Sequence, residues 1–286
     1  MTSFKQVLIE KVLGHKYAID AERLGDDSLL AWSNLGYWQA QQHDSQQHHY
    51  RLACQSLADQ VASSVQLKQS DRVLDLGCGQ GASLLHWLNQ YQIEQLSTVE
   101  LQADCIQRIQ KNLPQVDAYC QSFLNLKQLH FLNSFDAVIC IDAAYHSDLN
   151  SFLNSTASVL NSKGRLAFHY LMWSDAWQNC SYLQKQQYRY LLKSADVKWQ
   201  HLMDEQRLVK TLTQHGFGDI VIQDFSAPVF NGFAQYIETG GIEKKSFDLA
   251  QFKIGMTAKL CRKLYHDGLV RYIQISAVKH ETIKKT

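Results

Sequence analysis

The chain has 286 residues, of which 45% are hydrophobic and 19% charged, and its formal net charge is +1. This profile is typical of a globular protein with a large core, and the lack of a basic excess argues against DNA or RNA as the main partner. The seven cysteines form no C-x-x-C motif, which favours a reducing cytoplasm over a disulfide framework. We also find no signal-peptide pattern and no apolar stretch of the roughly 20 residues that a membrane span needs.

Helical and strand patterns alternate through the first part of the chain. Residues 50–65 carry apolar positions at helical spacing. The segments that follow are short apolar strands at 72–77, 96–101, 116–120, 135–142 and 164–171, with helices at 82–91, 103–113 and 152–161 between them. This order predicts βαβ units, and the near-continuous apolar runs predict a mostly parallel sheet with helices on both faces.

The alternation breaks after residue 171. An aromatic, polar stretch follows, and we expect it to be a helical insertion. A helix at 208–217, a strand at 219–225, a helical stretch at 247–268 and a final strand at 269–278 are predicted beyond it. We therefore divide the chain into an N-terminal helical cap or lid (1–49), a cofactor-binding core (50–171), a helical aromatic insertion that serves as a cap (172–207) and the rest of the core (208–286), with a helical insertion at about 229–267.

A glycine-rich loop follows the first predicted strand, in the sequence VLDLGCGQGAS (73–83). Gly77, Gly79 and Gly81 stand at every second position. The dinucleotide fingerprint is G-x-G-x-x-G, so the third glycine here comes one residue too early for it. The spacing disfavours an NAD-dependent dehydrogenase and leaves another nucleotide as the ligand.

Two further segments are expected beside this loop. Glu100 ends the next strand, where a carboxylate can accept hydrogen bonds from a ribose diol. Asp142, Tyr145 and His146 follow the strand FDAVICID. Because ligands of open α/β sheets bind at the carboxyl ends of the strands, a second substrate could meet the nucleotide there.

Together, VLDLGCGQG, Glu100 and the segment FDAVICIDAAYH resemble the class I S-adenosylmethionine-dependent methyltransferases. The segments NLGYW (34–38) and DAAYH are similar to the branch that methylates small molecules, such as quinones, tocopherols, sterols and macrolides. The resemblance implies a Rossmann-like, open sheet of seven strands whose last strand is antiparallel, with a helical cap. It also implies S-adenosyl-L-methionine as the cofactor.

The resemblance further implies which residues hold that cofactor. The implied set lies at the ends of the first four strands: Asp75, Gly77, Cys78 and Gly79 toward the methionine and ribose, Gly81 in the same loop, Glu100 and Leu101 at the ribose and adenine, Ser122 and Phe123 at the adenine, and Asp142 beside the glycine loop. Many family members carry an acid that takes the adenine amino group. The run CQSF (120–123) lacks it, and either Ser122 or a backbone carbonyl is expected to replace it.

Candidate catalytic residues follow from the chemistry of methyl transfer. The reaction is an in-line displacement, so positioning and exclusion of water supply much of the rate. The sulfonium is a cation that aromatic faces can favour, and Tyr37 and Tyr145 are the expected walls. His146 is the candidate base for a hydroxyl acceptor, with substrate binding as its alternative role, and His169 is a weaker candidate.

The histidines of HDSQQHH (43–49) are poorly spaced for one metal ion, and we predict no metal site.

The predicted function is methylation of a small, partly apolar metabolite at oxygen, nitrogen or carbon. The alternatives are an RNA or protein acceptor, or a non-catalytic module that binds S-adenosylmethionine. A homo-oligomer is compatible with the sequence.

Overall fold

The computed structural model describes residues 20–38, 49–240 and 249–281. Within these residues one sheet is formed by seven strands: β1 (Arg72–Leu76), β2 (Gln95–Glu100), β3 (Asp117–Cys120), β4 (Phe135–Cys140), β5 (Leu160–Trp173), β6 (Phe217–Asp224) and β7 (Val270–Lys279). Their order across the sheet is β3-β2-β1-β4-β5-β7-β6.

Strand direction follows the prediction. The pairs β1–β2, β1–β4, β2–β3 and β4–β5 are parallel. The last strand, β7, lies between β5 and β6 and is antiparallel to both. A mostly parallel Rossmann-like sheet with one antiparallel strand is therefore confirmed.

Helices cover both faces of this sheet. Those of the described residues are α1 (His49–Ser64), α2 (Ala82–Gln90), α3 (Ala103–Asn112), α4 (Leu149–Ala157), α5 (Tyr182–Ser194), α6 (Glu205–Gln214), α7 (Gly232–Glu238) and α8 (Leu249–Asp267). Short 3-10 turns occur at 22–24, 123–129, 144–146, 175–179 and 199–201, and a π-helical turn at 227–231 leads into α7. None of the described helices combines the length and the apolar character needed to cross a membrane.

Alternate residues of the central strands feed two separate hydrophobic cores. Val138 of β4 packs with α4 and α6 on one face, whereas its neighbour Ile139 packs on the other face with α1, α2 and α8. Both side chains are fully buried. Strands covered on two faces need apolar residues at successive positions, which is the continuous pattern that the sequence shows.

Some element boundaries differ from the prediction. β5 begins at Leu160 and reaches Trp173, because Leu160 already pairs with Phe135 and the far end pairs with β7 up to Val270. Residues 172 and 173 thus belong to the sheet and not to the helical insertion. Helix α6 begins earlier than predicted, since the Asp204 carboxylate caps it by accepting a hydrogen bond from the Arg207 N–H at 2.9 Å.

The N-terminal segment 20–38 contains one 3-10 turn and otherwise no helix. It is attached to α1, where the Tyr37 N–H donates to the Ala53 carbonyl at 2.8 Å and the Tyr50 hydroxyl donates to the Asn34 carbonyl at 2.8 Å. Most of the cap expected over residues 1–49 lies outside the described residues.

Candidate functional site

A cavity opens where the topology of the sheet changes direction. From β1 the chain moves outward to β2 and β3, whereas β4 and β5 lie on the opposite side of β1. The carboxyl ends of β1 and β4 therefore border a crevice. The cavity there has a volume of about 260 Å³. Its lining consists of Ala31, Trp32, Ser33, Asn34, Asp75, Gly77, Cys78, Gly79, Gln80, Ala82, Ser83, Glu100, Leu101, Gln102, Cys105, Ser122, Phe123, Leu124, Ile141, Asp142, Ala143, His146 and Ser147.

The glycine loop passes along this cavity with left-handed backbone. Gly77 has φ +73° and Gly79 has φ +56°. A Cβ atom on Gly77 would lie 2.9 Å from the Ala143 Cβ, and one on Gly79 would lie 3.0 Å from the Ser33 Oγ. Side chains at these two positions would strain the backbone and crowd the walls, so glycine lets the backbone itself form the surface of the cavity.

Glu100 faces the loop from the end of β2. One of its carboxylate oxygens accepts a hydrogen bond from the Gly79 N–H at 3.1 Å, and the other accepts one from the Gln102 N–H at 2.9 Å. The residue is buried, with 6% of its surface exposed. Both contacts fix the carboxylate against the cavity, where it has further acceptor capacity for a ligand hydroxyl.

Asp75 belongs to β1 and Cys78 to the glycine loop, and both residues line the cavity. The Trp87 indole N–H donates to Asp75 at 2.7 Å. Burial raises the pKa of Asp75 to about 6, although the hydrogen bond from Trp87 opposes this shift. Burial also raises the pKa of the Cys78 thiol well above its ordinary value, and its sulfur accepts a hydrogen bond from the Thr98 hydroxyl at 3.0 Å. The thiol is therefore a neutral packing group and not a nucleophile.

Leu101, Ser122 and Phe123 line the other end of the cavity. Leu101 is 61% exposed, so it offers an apolar surface to a ligand. The Ser122 hydroxyl accepts a hydrogen bond from the Leu124 N–H at 3.3 Å and begins the 3-10 turn. This hydroxyl can still donate its own proton.

Asp142 follows β4 and has φ +54°, which is uncommon for a residue other than glycine. One carboxylate oxygen accepts hydrogen bonds from the hydroxyls of Tyr145, at 2.8 Å, and Tyr272, at 3.0 Å. The other accepts one from the Leu35 N–H at 3.0 Å. Burial raises the pKa of Asp142 to about 6, against the opposing effect of these hydrogen bonds.

His146 lies at the cavity wall on the 3-10 turn after β4. Its Nδ1 is 3.2 Å from the backbone carbonyl oxygen of Asp196, in the segment that follows α5. A carbonyl can only accept, so Nδ1 carries the proton of the neutral ring and Nε2 is the basic nitrogen. The aromatic insertion thereby sets the orientation of the candidate base.

Ten of the thirteen predicted site residues line the cavity, whereas Gly81, Tyr37 and Tyr145 do not. A Cβ on Gly81 would lie 2.9 Å from Ile109, so this glycine permits the close packing of α2 and α3. The Tyr37 ring packs edge-on against Phe225 with 5.0 Å between ring centroids. The Tyr145 hydroxyl is engaged by Asp142. Neither of the two expected aromatic walls is therefore part of the cavity lining.

His169 is also placed away from the cavity, and it is fully buried. Its Nδ1 accepts a hydrogen bond from the Asp142 N–H at 3.2 Å, which leaves Nε2 to donate to Gln274 at 3.3 Å. Burial lowers the pKa of His169 to about 3. A neutral ring with both nitrogens engaged is a structural histidine and not a base.

The sequence analysis missed the contribution of residues 31–34 to the cavity. No short motif marks residues 31–33, and the position of all four residues depends on distant contacts. The buried Asp26 carboxylate accepts a hydrogen bond from the Trp32 N–H at 2.8 Å, and α1 holds Asn34. Asn34 begins the segment NLGYW (34–38), in which Tyr37 is the predicted site residue.

No group of three or more His, Cys, Asp or Glu side chains suited to a metal ion occurs within the described residues. Two of the three histidines weighed as metal ligands, His43 and His48, fall outside those residues.

Comparison with known proteins gives a consistent result. A family model described as "Methyltransferase domain" matches residues 73–164. The chain is 26% identical over 145 residues to the O-methyltransferase resE of Aspergillus sclerotiorum, a match that covers 49% of this chain and 54% of that protein. The chain thus spans about half the length of the curated relative it matches.

Solved structures extend the likeness over nearly the whole chain. A geranyl diphosphate methyltransferase in complex with GPP and sinefungin shares 13% identity at a TM-score of 0.71, covering 96% of this chain and 98% of that chain. A cyclopropane synthase from Mycobacterium tuberculosis shares 16% identity at a TM-score of 0.68, covering 90% and 93%. At these identities the likeness establishes the fold.

Proposed function

We propose that the chain transfers a methyl group from S-adenosyl-L-methionine to a small, partly apolar metabolite, in keeping with the methyltransferase domain model that matches residues 73–164. The observation that carries this proposal is the cavity at the switch point, where Glu100 and the left-handed glycine loop face the same space. When bound, the cofactor supplies an electrophilic methyl carbon on a cationic sulfur.

The residues at the cavity fit this cofactor. Glu100 is held by two backbone N–H groups and can accept from the hydroxyls of a ribose. Gly77 and Gly79 leave room that side chains would fill, so a ligand can approach the backbone closely. Leu101 and Phe123 provide apolar surface for a base, and Ser122 can donate to it or accept from it.

The acceptor is proposed to bind at the side of the cavity that His146 borders. A hydroxyl or carbon acceptor loses a proton during methylation, and His146 Nε2 is the nitrogen that would take it. An amine that is already neutral needs no base. The similar proteins include a methyltransferase whose structure holds GPP and an O-methyltransferase, which supports a small molecule rather than a nucleic acid as the acceptor.

We further propose that the insertion from residue 174 to 207 and the helices α7 and α8 roof the acceptor side. Trp177 of the insertion stacks on Trp173 at the end of β5 with 3.7 Å between ring centroids, and Arg189 lies over the Trp199 ring at 4.2 Å. The seven cysteines are free, which supports a reducing, cytoplasmic location.

Calorimetry with S-adenosylhomocysteine tests the donor half of the proposal, with NAD as the matched control ligand. We expect the first to bind and the second not to bind. A folded chain that binds only NAD, or neither ligand, would contradict the proposal.

A screen of small metabolites, read by release of S-adenosylhomocysteine, tests the acceptor half. Prenyl diphosphates, phenols, sterols and small amines form the panel, with total RNA as a macromolecular control. Turnover with RNA and with none of the metabolites would replace the proposed acceptor class.

A further inference from the structure

We propose that Asp142 is a positioning residue that holds the N-terminal wall of the cavity against the sheet, with Tyr272 as its support. This role is distinct from contact with the cofactor. It rests on the proposed function in one respect, which is that the cavity is the binding site of the methyl donor. Asp142 accepts three hydrogen bonds from three separate parts of the chain: the N-terminal segment, the turn after β4 and the last strand.

The wall that Asp142 holds consists of residues 31–34, which line the cavity directly. These residues precede Leu35, whose N–H donates to Asp142 at 3.0 Å. The other contacts around this point keep the segment rigid without tying it to β4. The Gly36 N–H donates to the Asn34 side chain at 2.9 Å, and the Trp38 indole donates to the Leu35 carbonyl at 2.8 Å.

The support on the other side comes from the last strand. Tyr272 lies on β7 and is fully buried. Its ring packs against His169 and Phe230 at centroid distances of 5.2 and 5.5 Å. Tyr272 does not line the cavity, so its hydroxyl can influence a bound ligand only through other residues, and Asp142 is the direct link.

The backbone of Asp142 is fixed as well as its side chain. Its N–H donates to His169 Nδ1 at 3.2 Å, and its φ of +54° turns the chain sharply after β4. The same turn brings Ala143 against Gly77 in the glycine loop. Asp142 thus joins the two walls of the cavity, one through its side chain and one through its neighbour.

Two variants at this position separate positioning from charge. Asp142→Ala removes all three side-chain hydrogen bonds, and we expect about tenfold weaker binding of S-adenosylhomocysteine in calorimetry. Hydrogen–deuterium exchange of the peptide 30–38 should become faster. Asp142→Asn should keep most of the affinity and the protection, because its carbonyl can accept from Leu35 while its amide donates to the two tyrosine hydroxyls.

Other outcomes overturn the proposal. If Asp142→Asn binds as weakly as Asp142→Ala while its peptide 30–38 exchanges as in the wild type, the negative charge acts on the ligand directly and Asp142 is not a positioning residue. If a folded Asp142→Ala variant binds S-adenosylhomocysteine with unchanged affinity, Asp142 is likewise not a positioning residue.

Tyr272→Phe is a second variant that keeps the ring packing and the cavity lining. We expect faster exchange at 30–38 and a smaller loss of affinity than Asp142→Ala shows. If Asp142→Ala does not fold, this variant decides the question, and wild-type exchange at 30–38 would refute the role. Tyr188→Phe is the matched control, since it loses a comparable Tyr–Asp267 hydrogen bond of 2.6 Å on the insertion and should change neither readout.

The two proposals fail in different ways. A wild-type chain that does not bind S-adenosylhomocysteine contradicts the proposed function, whereas the exchange measurement at 30–38 still tests whether Asp142 holds the segment.

Discussion

The edge of the sheet that holds the glycine loop and the insertion above it are built by different kinds of contact. At the edge, the residues that shape the cavity lie at or just after the ends of β1 and β2 in the sequence. The Glu100 carboxylate accepts a hydrogen bond from the Gly79 N–H, which joins these two neighbouring strand ends. In the insertion, Trp177 stacks on Trp173 at the end of β5, and the Tyr188 hydroxyl of α5 donates a hydrogen bond to Asp267 of α8.

This difference explains why one region can be assigned a ligand and the other cannot. The left-handed backbone of the glycine loop restricts which residues fit there, so few loop sequences can form this site. Aromatic packing in the insertion accepts many combinations of similar size. The donor site therefore carries a recognisable pattern, whereas the acceptor side is free to vary with the substrate.

His146 is the point where the two regions meet, so its substitution should have the largest effect. We expect His146→Ala to lower turnover about 10²- to 10⁴-fold with a hydroxyl or carbon acceptor, because general-base catalysis is lost. Binding of S-adenosylhomocysteine should not change. The measurement is initial rate together with calorimetry, and His266→Ala, at an exposed position of α8, is the control. Undiminished turnover would mean that the acceptor needs no base.

Substitution of Glu100 tests the donor edge by itself. Glu100→Ala should weaken binding of S-adenosylhomocysteine by roughly 1.5–3 kcal/mol, since charged hydrogen bonds to the ligand are lost. Calorimetry measures the change, and Glu94→Ala, at an exposed position just before β2, should leave the affinity as it is. Equal affinities of the two variants would remove Glu100 from the site.

His169 lies in the core beneath both regions, and its titration predicts an acid sensitivity. Its pKa falls to about 3 in the folded protein, below the ordinary value near 6.5. The unfolded chain therefore binds the extra proton between these pH values, and the folded state loses stability as the pH falls below 6.5. At pH 5 this amounts to roughly 2 kcal/mol.

Urea unfolding at pH 7 and pH 5 measures this effect. His169→Gln should reduce the decrease in unfolding free energy from pH 7 to pH 5, whereas His266→Gln should leave that decrease as in the wild type. The buried carboxyls Asp75 and Asp142 have pKa values raised to about 6 and act in the opposite direction. Both carboxyls are present in all three proteins, and the glutamine amide oxygen of His169→Gln can still accept from the Asp142 N–H, so the difference between the curves reports on His169. Parallel curves for wild type and His169→Gln would contradict the assignment.

The smallest expected effect belongs to the insertion. Ser181 and Gln184 form a capping box at the start of α5, and Ser181→Ala should destabilise this helix by about 1 kcal/mol. Hydrogen exchange of residues 182–194 should rise while the affinity for S-adenosylhomocysteine is retained. Ser194→Ala, at the other end of the helix, is the control. A parallel loss of affinity would show that the two regions are not independent.

The sequence predicted those parts of the fold and the site that depend on local pattern. Strand β4 was placed within two residues, because its apolar run is continuous and flanked by polar residues. The direction of β7 came from the resemblance, not from any property of that segment. The start of β5 at Leu160 was missed, since its pairing with Phe135 is a tertiary contact that helical periodicity does not reveal.

The same division holds within the site. Glu100 could be named because it ends a strand at a fixed distance from the loop. Ser33 and Asn34 could not, because their position depends on Asp26, Tyr50 and Asp142. Tyr37 and Tyr145 carry the right chemistry for a wall, but Tyr37 packs on Phe225, the Tyr145 hydroxyl binds Asp142, and neither residue lines the cavity.

The position of β7 between β5 and β6 has a consequence for the order in which the molecule is made. Strand β6 pairs with β7 and with no other strand of the described residues, yet it is synthesised more than forty residues earlier. On the ribosome, β6 and the exposed edge of β5 must therefore wait without partners until the final strand emerges. Unpaired strand edges promote association between chains. The time between synthesis of β6 and β7 is when a nascent chain of this fold is most exposed to aggregation.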